Sequence, residues 1–258
     1  MKSKLAVSKV EKGRFRFCGL DIEQTERKIV VSMEDYAAAI KESEIPKKSR
    51  NNQKLDENQM TIMRGLAGMI QWLAQQCRID LAYGAHQLSR RNQNATIKDL
   101  KYANSIVKKV HSRVSRVEYK SVGKEEDLVI YGFSDSNFIA GEKPTGGQLT
   151  LIGNKYSDKV SPILWKTKLI QKACKSPKDA ETIALGVVAD LAIYTANQVE
   201  QILTGKNGGS KYKVRLFCDN APVIESIASS KQVERRYMRS DINILKQFIE
   251  EQKIEYIS

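Results

Sequence analysis

The chain has 258 residues, 41% of them hydrophobic and 28% charged, which fits an ordinary globular protein of one large or two modest domains. No apolar run approaches the roughly 20 residues that a membrane-spanning helix needs, and no apolar segment near Met1 reads as a secretory signal. Forty-three Lys and Arg against 30 Asp and Glu give a net charge of +13, which favours a polyanionic partner.

The charge is uneven. Residues 1–120 hold 24 basic and 13 acidic side chains, a net +11, and residues 121–258 hold 19 and 17, a net +2. The basic surface belongs mainly to the N-terminal half. Four cysteines, Cys18, Cys77, Cys174 and Cys218, lack CxxC spacing, so neither a zinc site nor a disulfide framework is expected. An intracellular, reducing location follows: nucleus, cytoplasm or an organelle such as the mitochondrion.

In chain order, Phe15 to Ile22 and Ile29 to Val31 read as a hairpin by alternation and β-branched content. Glu34 to Lys41 predicts a short helix, and Pro46 to Asn58 a polar loop. From Gln59 to Gln75, apolar residues at Met63, Leu66, Ala67, Ile70 and Leu73 follow a helical period. Helices are expected again over 80–90 and 97–111. Trp72 and Trp165 read as core residues, and His86 and His111 as structural ones. A change of character over 112–126 marks a domain boundary, giving domains at 1–120 and 127–258.

Beyond it, strands are predicted at 128–134, 147–153 and 162–166. A long helix follows over about 177–203, opened by Ser176 as N-cap and Pro177 at its first position. A strand at 213–218, helices at 221–229 and 239–251, and a last strand at Ile254–Ile257 complete an α/β layered fold with a mixed sheet.

Three acidic residues stand out in this half. Asp135 lies near the end of the run Leu128-Val-Ile-Tyr-Gly-Phe-Ser-Asp, Asp219 follows Val214-Arg-Leu-Phe-Cys, and Glu181 sits one turn into the long helix. Glu181 shares a helical face with Ala184, Leu185, Val188 and Ala192. An unpaired charge on such a stripe is costly, so either an ion pair or a metal is expected there. Carboxylates from two strand ends and a helix repel one another unless cations join them, and Mg²⁺ (or Mn²⁺) suits oxygen ligands.

At these residues the chain resembles the C-terminal part of the pol polyprotein of copia-type LTR retrotransposons, over nearly its whole length. Phe17-Cys-Gly-Leu-Asp-Ile-Glu is similar to the segment after that family's polymerase active site. Arg64-Gly-Leu-Ala-Gly-Met-Ile-Gln-Trp-Leu-Ala, Arg78-Ile-Asp-Leu-Ala-Tyr and Gln87-Leu-Ser-Arg resemble its thumb and connection helices, with Ile79 in place of the family's usual proline. Phe133-Ser-Asp-Ser-Asn-Phe-Ile-Ala-Gly, then Leu164-Trp-Lys-Thr-Lys with Lys175-Ser-Pro-Lys-Asp-Ala-Glu-Thr, then Phe217-Cys-Asp-Asn resemble its three RNase H motifs in order.

The resemblance implies an RNase H-like mixed-sheet domain preceded by a mostly helical reverse-transcriptase thumb/connection remnant with a short hairpin. It implies catalytic and metal-ligating roles for Asp135, Glu181 and Asp219 in two-metal hydrolysis of RNA in an RNA–DNA hybrid. The family's fourth carboxylate lies on a helix after the last strand; Asp241 is a candidate stand-in, or else a charge at a helix N-terminus. No Tyr-Val-Asp-Asp-type motif occurs, so no polymerase activity is expected. No histidine lies between Asp219 and the end, where many RNase H enzymes carry one.

Spaced cations suit a phosphate backbone. The candidates are Lys166, Lys168, Lys172 and Lys175; Arg235, Arg236 and Arg239 around Tyr237; and Arg90, Arg91, Lys108, Lys109 and Arg113, with Arg116, Lys47, Lys48, Arg50 and Lys54 beside them. Two readings stay open. One is a domesticated, RNA-binding architectural subunit of a ribonucleoprotein such as a ribosome, held by other protein subunits; this is the preferred reading. The other is a Mg²⁺-dependent ribonuclease H. A non-catalytic subunit of a retroelement polymerase dimer is a third.

Overall fold

The computed structural model describes residues 10–91, 93–205, 209–229 and 236–258. The chain falls into two compact units, Met1–Ser121 and Val122–Ser258.

In the first unit, strands β1 (Arg14–Phe17), β2 (Leu20–Gln24), β3 (Lys28–Ser32) and β4 (Arg116–Lys120) form an antiparallel sheet in that order. The single strand expected over 15–22 is two strands. Phe17 pairs with Leu20, and the two residues between them, Cys18 and Gly19, both have positive φ, 50° and 80°. That is the two-residue turn whose twist matches a hairpin, built here on Cys-Gly rather than on the usual Asn-Gly. Strand β4 falls in the segment read as a boundary. Its Arg-Val-Glu-Tyr-Lys alternates, with Val117 buried and Tyr119 half-buried, and it pairs with β3 from Arg116 to Lys120.

Four helices accompany this sheet: α1 (Glu34–Ala39), α2 (Glu57–Gln76), α3 (Ala82–Arg91) and α4 (Ile97–His111). Asp56 and Gln59 close a capping box on α2, and Thr96 and Asp99 close one on α4. Met63, Leu66, Ile70 and Leu73 of α2 share one core with Leu88, Leu100 and Val107. Trp72, expected in that core, is 41% exposed; it sits between the buried positions Ile70 and Leu73, off the apolar stripe of α2. His111 Nε2 bonds the Ile40 carbonyl at 2.8 Å, a structural role.

The second unit carries a five-stranded sheet in the order β7-β6-β5-β8-β9. Strands β5 (Leu128–Asn137), β6 (Thr145–Asn154) and β7 (Ser157–Leu169) form an antiparallel meander. Strand β8 (Lys213–Cys218) runs parallel to β5, and β9 (Tyr256–Ile257) parallel to β8. The long helix α5 (Pro177–Thr204) makes the crossover from β7 to β8, followed by α6 (Ala221–Ala228) and α7 (Arg239–Glu250). Trp165, on the edge strand β7, is half-buried.

Helix α5 begins where the Asp179 amide donates to the Ser176 hydroxyl, and ends at Gly205 with φ 72°. Contrary to expectation, α5 is long and apolar enough to cross a membrane by length and composition alone. Its apolar face packs instead on the sheet: Leu185, Val188, Ala189 and Ala192 join Ile130 and Leu216 in one core. At Gly132 a Cβ would stand 2.6 Å from Leu216 Cδ2 on the neighbouring strand β8 and 3.2 Å from Val188 Cγ2 on α5. Glycine at that position lets the helix lie close to the strand, which fixes where Glu181 meets the sheet.

Candidate functional site

Glu181 is 6% exposed, at the point where the first turns of α5 cross the ends of β5 and β8. Its Oε1 accepts two hydrogen bonds from Ser136, from the hydroxyl at 2.6 Å and from the amide at 3.0 Å. Its Oε2 is buried with no hydrogen-bond partner among the described residues.

Ligand atoms of Glu181, Cys218 and Asp219 all lie within 4.8 Å of one another. Cys218 is the last residue of β8, 7% exposed and paired in register with Ser134; Asp219 follows it and is exposed. Asp135 is not in this tight group. Side chains alternate along β5, so Ser134 and Ser136 face α5 while Asp135 shares the face on which Phe133 stacks against Phe217, with ring centroids 4.8 Å apart. Asp135 is nonetheless close enough for its charge to act on Glu181.

Burial is the main reason that the Glu181 carboxyl is held above the ordinary carboxylate range. The two bonds from Ser136 pull it down, and the charges of Asp135 and Asp219 push it up again. Burial likewise raises the Cys218 thiol; the Asn220 amide and the Ser134 hydroxyl pull it down, and the charges of Glu181 and Asp219 push it up. A buried carboxylate with one free oxygen, next to a second carboxylate, is a donor set that fits a divalent cation. Glu181 and Asp219 would hold it, with Asp135 nearby.

Asp241, in the first turn of α7, receives Lys172 Nζ on both oxygens, at 2.8 and 2.6 Å. It has a cation already. Nearby, Asp179 is 1% exposed and accepts from the Lys175 amide at 2.8 Å and the Tyr237 hydroxyl at 2.9 Å, while Lys175 Nζ stands 5.1 Å from the Tyr237 ring centroid. These bonds fasten the 170–176 segment and the turn at Tyr237 to the start of α5.

The basic residues divide. Lys166 and Lys168 are exposed on the edge strand β7, two positions apart and so on one face, and no carboxylate among the described residues pairs with either. Lys172 and Lys175 are exposed but engaged as described. Arg239 opens α7 and is half-buried. Arg236 lies in the helical turn Arg236–Met238, and Arg235 falls outside the described residues. In the first unit, Arg91 bonds Asp99 at 2.8 Å, Lys108 approaches Glu42 at 3.6 Å, and Lys109 donates to the Asp80 carbonyl at 3.3 Å; Arg90 and Arg113 are exposed.

Two residues of the site escaped the sequence reading. Cys218 lacks CxxC spacing, and its place beside Asp219 at a strand end is the signal that marks it. Ser136, which fixes Glu181, was visible only as a flank of Asp135.

No protein-family model matches the chain, and neither does any curated protein. Among solved structures, the chain is similar to a foamy viral protease-reverse transcriptase in complex with an RNA/DNA hybrid. The TM-score is 0.53 at 14% identity, over 95% of this chain and 29% of the viral one. It also aligns with RNase H1 of the archaeon Halobacterium salinarum, with a TM-score of 0.35 at 13% identity, over 50% of this chain and 81% of that one. The chain has a mixed α/β fold, and spans under a third of the viral protein that it matches along nearly its full length.

Proposed function

We propose that the chain is a nucleic-acid-binding protein of retroelement descent, related to the C-terminal part of copia-type pol polyproteins, whose RNase H-like unit hydrolyses the RNA strand of RNA–DNA hybrids with a divalent metal. The observation that carries this reading is the Glu181 carboxylate, buried with one oxygen unpartnered beside Asp219 and within reach of the Asp135 charge. Evolution of a purely structural α5 would be expected to replace so costly a group by an apolar residue.

When bound, Mg²⁺ supplies charge neutralisation and Lewis acidity for phosphodiester hydrolysis. The protein's own part is to preorganise. Ser136 holds one Glu181 oxygen and so aims the other. Asp219, exposed at the end of β8, and Asp135, exposed on β5, border the same strand ends, open to solvent and to a phosphate. Lys166 and Lys168 on the outer strand offer cations to a backbone. Residues 1–120, read as the palm-end, thumb and connection remnant, add the larger positive charge. Hydrolysis of a labelled RNA–DNA hybrid in Mg²⁺ and in Mn²⁺, lost in both Glu181→Gln and Asp135→Asn, is the expected result. Equal cleavage by either variant would exclude this active site.

One observation favours the architectural reading, in which the chain binds RNA as a domesticated subunit of a ribonucleoprotein such as a ribosome. Lys172 occupies both oxygens of Asp241, the candidate fourth carboxylate. On that reading neither metal cleaves the hybrid, and salt-dependent RNA binding is equal in wild type and in Glu181→Gln.

A further inference from the structure

We propose that Cys218 is a metal ligand, and that Glu181, Cys218 and Asp219 together form a three-residue site for a thiophilic divalent cation such as Zn²⁺. The inference deepens the reading of the acidic site and rests on it for the ligand roles of Glu181 and Asp219; the thiol is an addition of this chain's own sequence.

Three observations converge. The Cys218 Sγ and the carboxylates of Glu181 and Asp219 lie within 4.8 Å of one another. The Glu181 oxygen Oε2 is buried and without a hydrogen-bond partner among the described residues, on a residue that is only 6% exposed. Cys218 is itself fixed: its amide donates to the Ser258 carbonyl at 2.9 Å, and its register partner is Ser134 on β5. A strand-end thiol thus faces the helix that carries the orphaned carboxylate.

Hard oxygen ligands suit Mg²⁺, whereas a thiolate selects zinc-like ions. Zinc bonds of about 2.0–2.3 Å in a tetrahedron place ligand atoms roughly 3.5 Å apart, so atoms within 4.8 Å of one another need to close by about 1.3 Å at most. Three protein ligands leave a fourth position open to water or to a phosphate oxygen. On binding, the Cys218 S–H bond breaks, the sulfur–metal bond forms and the proton passes to solvent; no electron is transferred. The same site would then discriminate between ions, with a thiophilic ion competing against Mg²⁺ wherever the two share Glu181 and Asp219.

The test is a Cd²⁺ titration of the full chain carrying Cys18→Ser and Cys174→Ser, which removes the exposed and the half-buried thiol and leaves Cys77 buried in the other unit. Thiolate-to-cadmium charge-transfer absorption should appear with one equivalent of ion, withstand millimolar Mg²⁺ and be reversed by Zn²⁺. It should vanish in Cys218→Ser and need at least about tenfold more Cd²⁺ in Glu181→Gln and in Asp219→Asn, each checked for native circular dichroism, since loss of even an outer-shell partner weakens metal binding by about 10–100-fold. Absorption that survives Cys218→Ser, or that keeps its affinity in both carboxylate variants, overturns the proposal. The readout is independent of hydrolysis: an inactive hybrid assay with an intact absorption band would sink the nuclease reading and leave this site standing.

Discussion

The hydroxyl and the amide of Ser136 both donate to a single oxygen of Glu181, at 2.6 and 3.0 Å. Strand β5 and helix α5 are thereby joined at the carboxylate rather than only through apolar packing. Because both bonds fall on Oε1, the Glu181 charge is only half-satisfied, and Oε2 is left buried without a hydrogen-bond partner among the described residues.

This arrangement has a pH signature. Burial first, and then the charges of Asp135 and Asp219, hold the folded Glu181 carboxyl above its ordinary value of 4.5. A group whose folded value is raised binds its proton more tightly in the native state. Its contribution is complete below 4.5 and is lost as pH rises through the folded value. Metal-free wild type should therefore lose Tm relative to Glu181→Gln as pH climbs from 4.5 towards neutrality, and Mg²⁺ should reverse part of the loss. A difference in Tm that stays flat across this range would show that Glu181 is not destabilised by its surroundings.

Nucleic-acid contact should concentrate on the edge strand of the second unit. Lys166 and Lys168 point to one side of β7 and have no carboxylate partner among the described residues, unlike Lys172, which is bound to Asp241. Replacing both by Glu should weaken binding to an RNA–DNA hybrid and lower the slope of log K against log salt by about one unit per lost phosphate contact. Lys172→Ala should have a smaller effect on that slope. Equal slopes in wild type and in the double variant, measured by fluorescence anisotropy across a salt series, would remove this face from the interface.

How much of this was legible beforehand depends on the kind of signal. Helix α4 was readable to its end residues, because Thr96 caps it and its apolar period is regular. Helix α5 was readable because Ser176, Pro177 and Gly205 are strong local punctuation. The Cys18-Gly19 turn was hidden by its composition, and β4 by its distance: its partner β3 lies over 80 residues earlier, and five residues of mixed polarity carry no sign of such a pairing. In the site, the approach of Asp219 to Glu181 followed from strand-end and helix-face logic. The displacement of Asp135 from the tight group, the entry of Cys218 and the capture of Asp241 by Lys172 are tertiary facts, set by where α5 crosses the sheet and by a segment between β7 and α5 with no periodicity to read.

In the first unit, one buried guanidinium should outweigh any exposed ion pair. Arg78 is 3% exposed and grips Asp80 with two bonds, at 2.8 and 3.0 Å. It also donates to the carbonyls of Lys109 and Val110, both at 2.9 Å, and of Arg113 at 3.2 Å, where the end of α4 would otherwise leave acceptors unmet. Removing one partner of such a buried network costs about 3–5 kcal/mol. Arg78→Ala should lower the stability of this unit by that order, and Arg78→Lys should recover only a minor part, because an ammonium cannot reproduce the planar fork. A loss under about 1 kcal/mol in denaturant titration would mean that water replaces the guanidinium without penalty.

Gly132 tests whether the helix-to-sheet distance sets the site. An added methyl would meet Leu216 Cδ2 at 2.6 Å and Val188 Cγ2 at 3.2 Å, and both residues are fully buried. Overpacking of this kind costs about 1–3 kcal/mol; Leu216 on β8 must shift, and the contact with Val188 is relieved by lifting α5 from β5. Glu181 rides on that helix and Ser136 on that strand, so Gly132→Ala should stretch their hydrogen bonds as well as lower stability. The expected pattern is a fall in Tm together with weaker divalent-ion binding at the acidic group. Weaker folding with unaltered ion affinity would show that the first turns of α5 are held by the Asp179 network alone, independently of the close contact at Gly132.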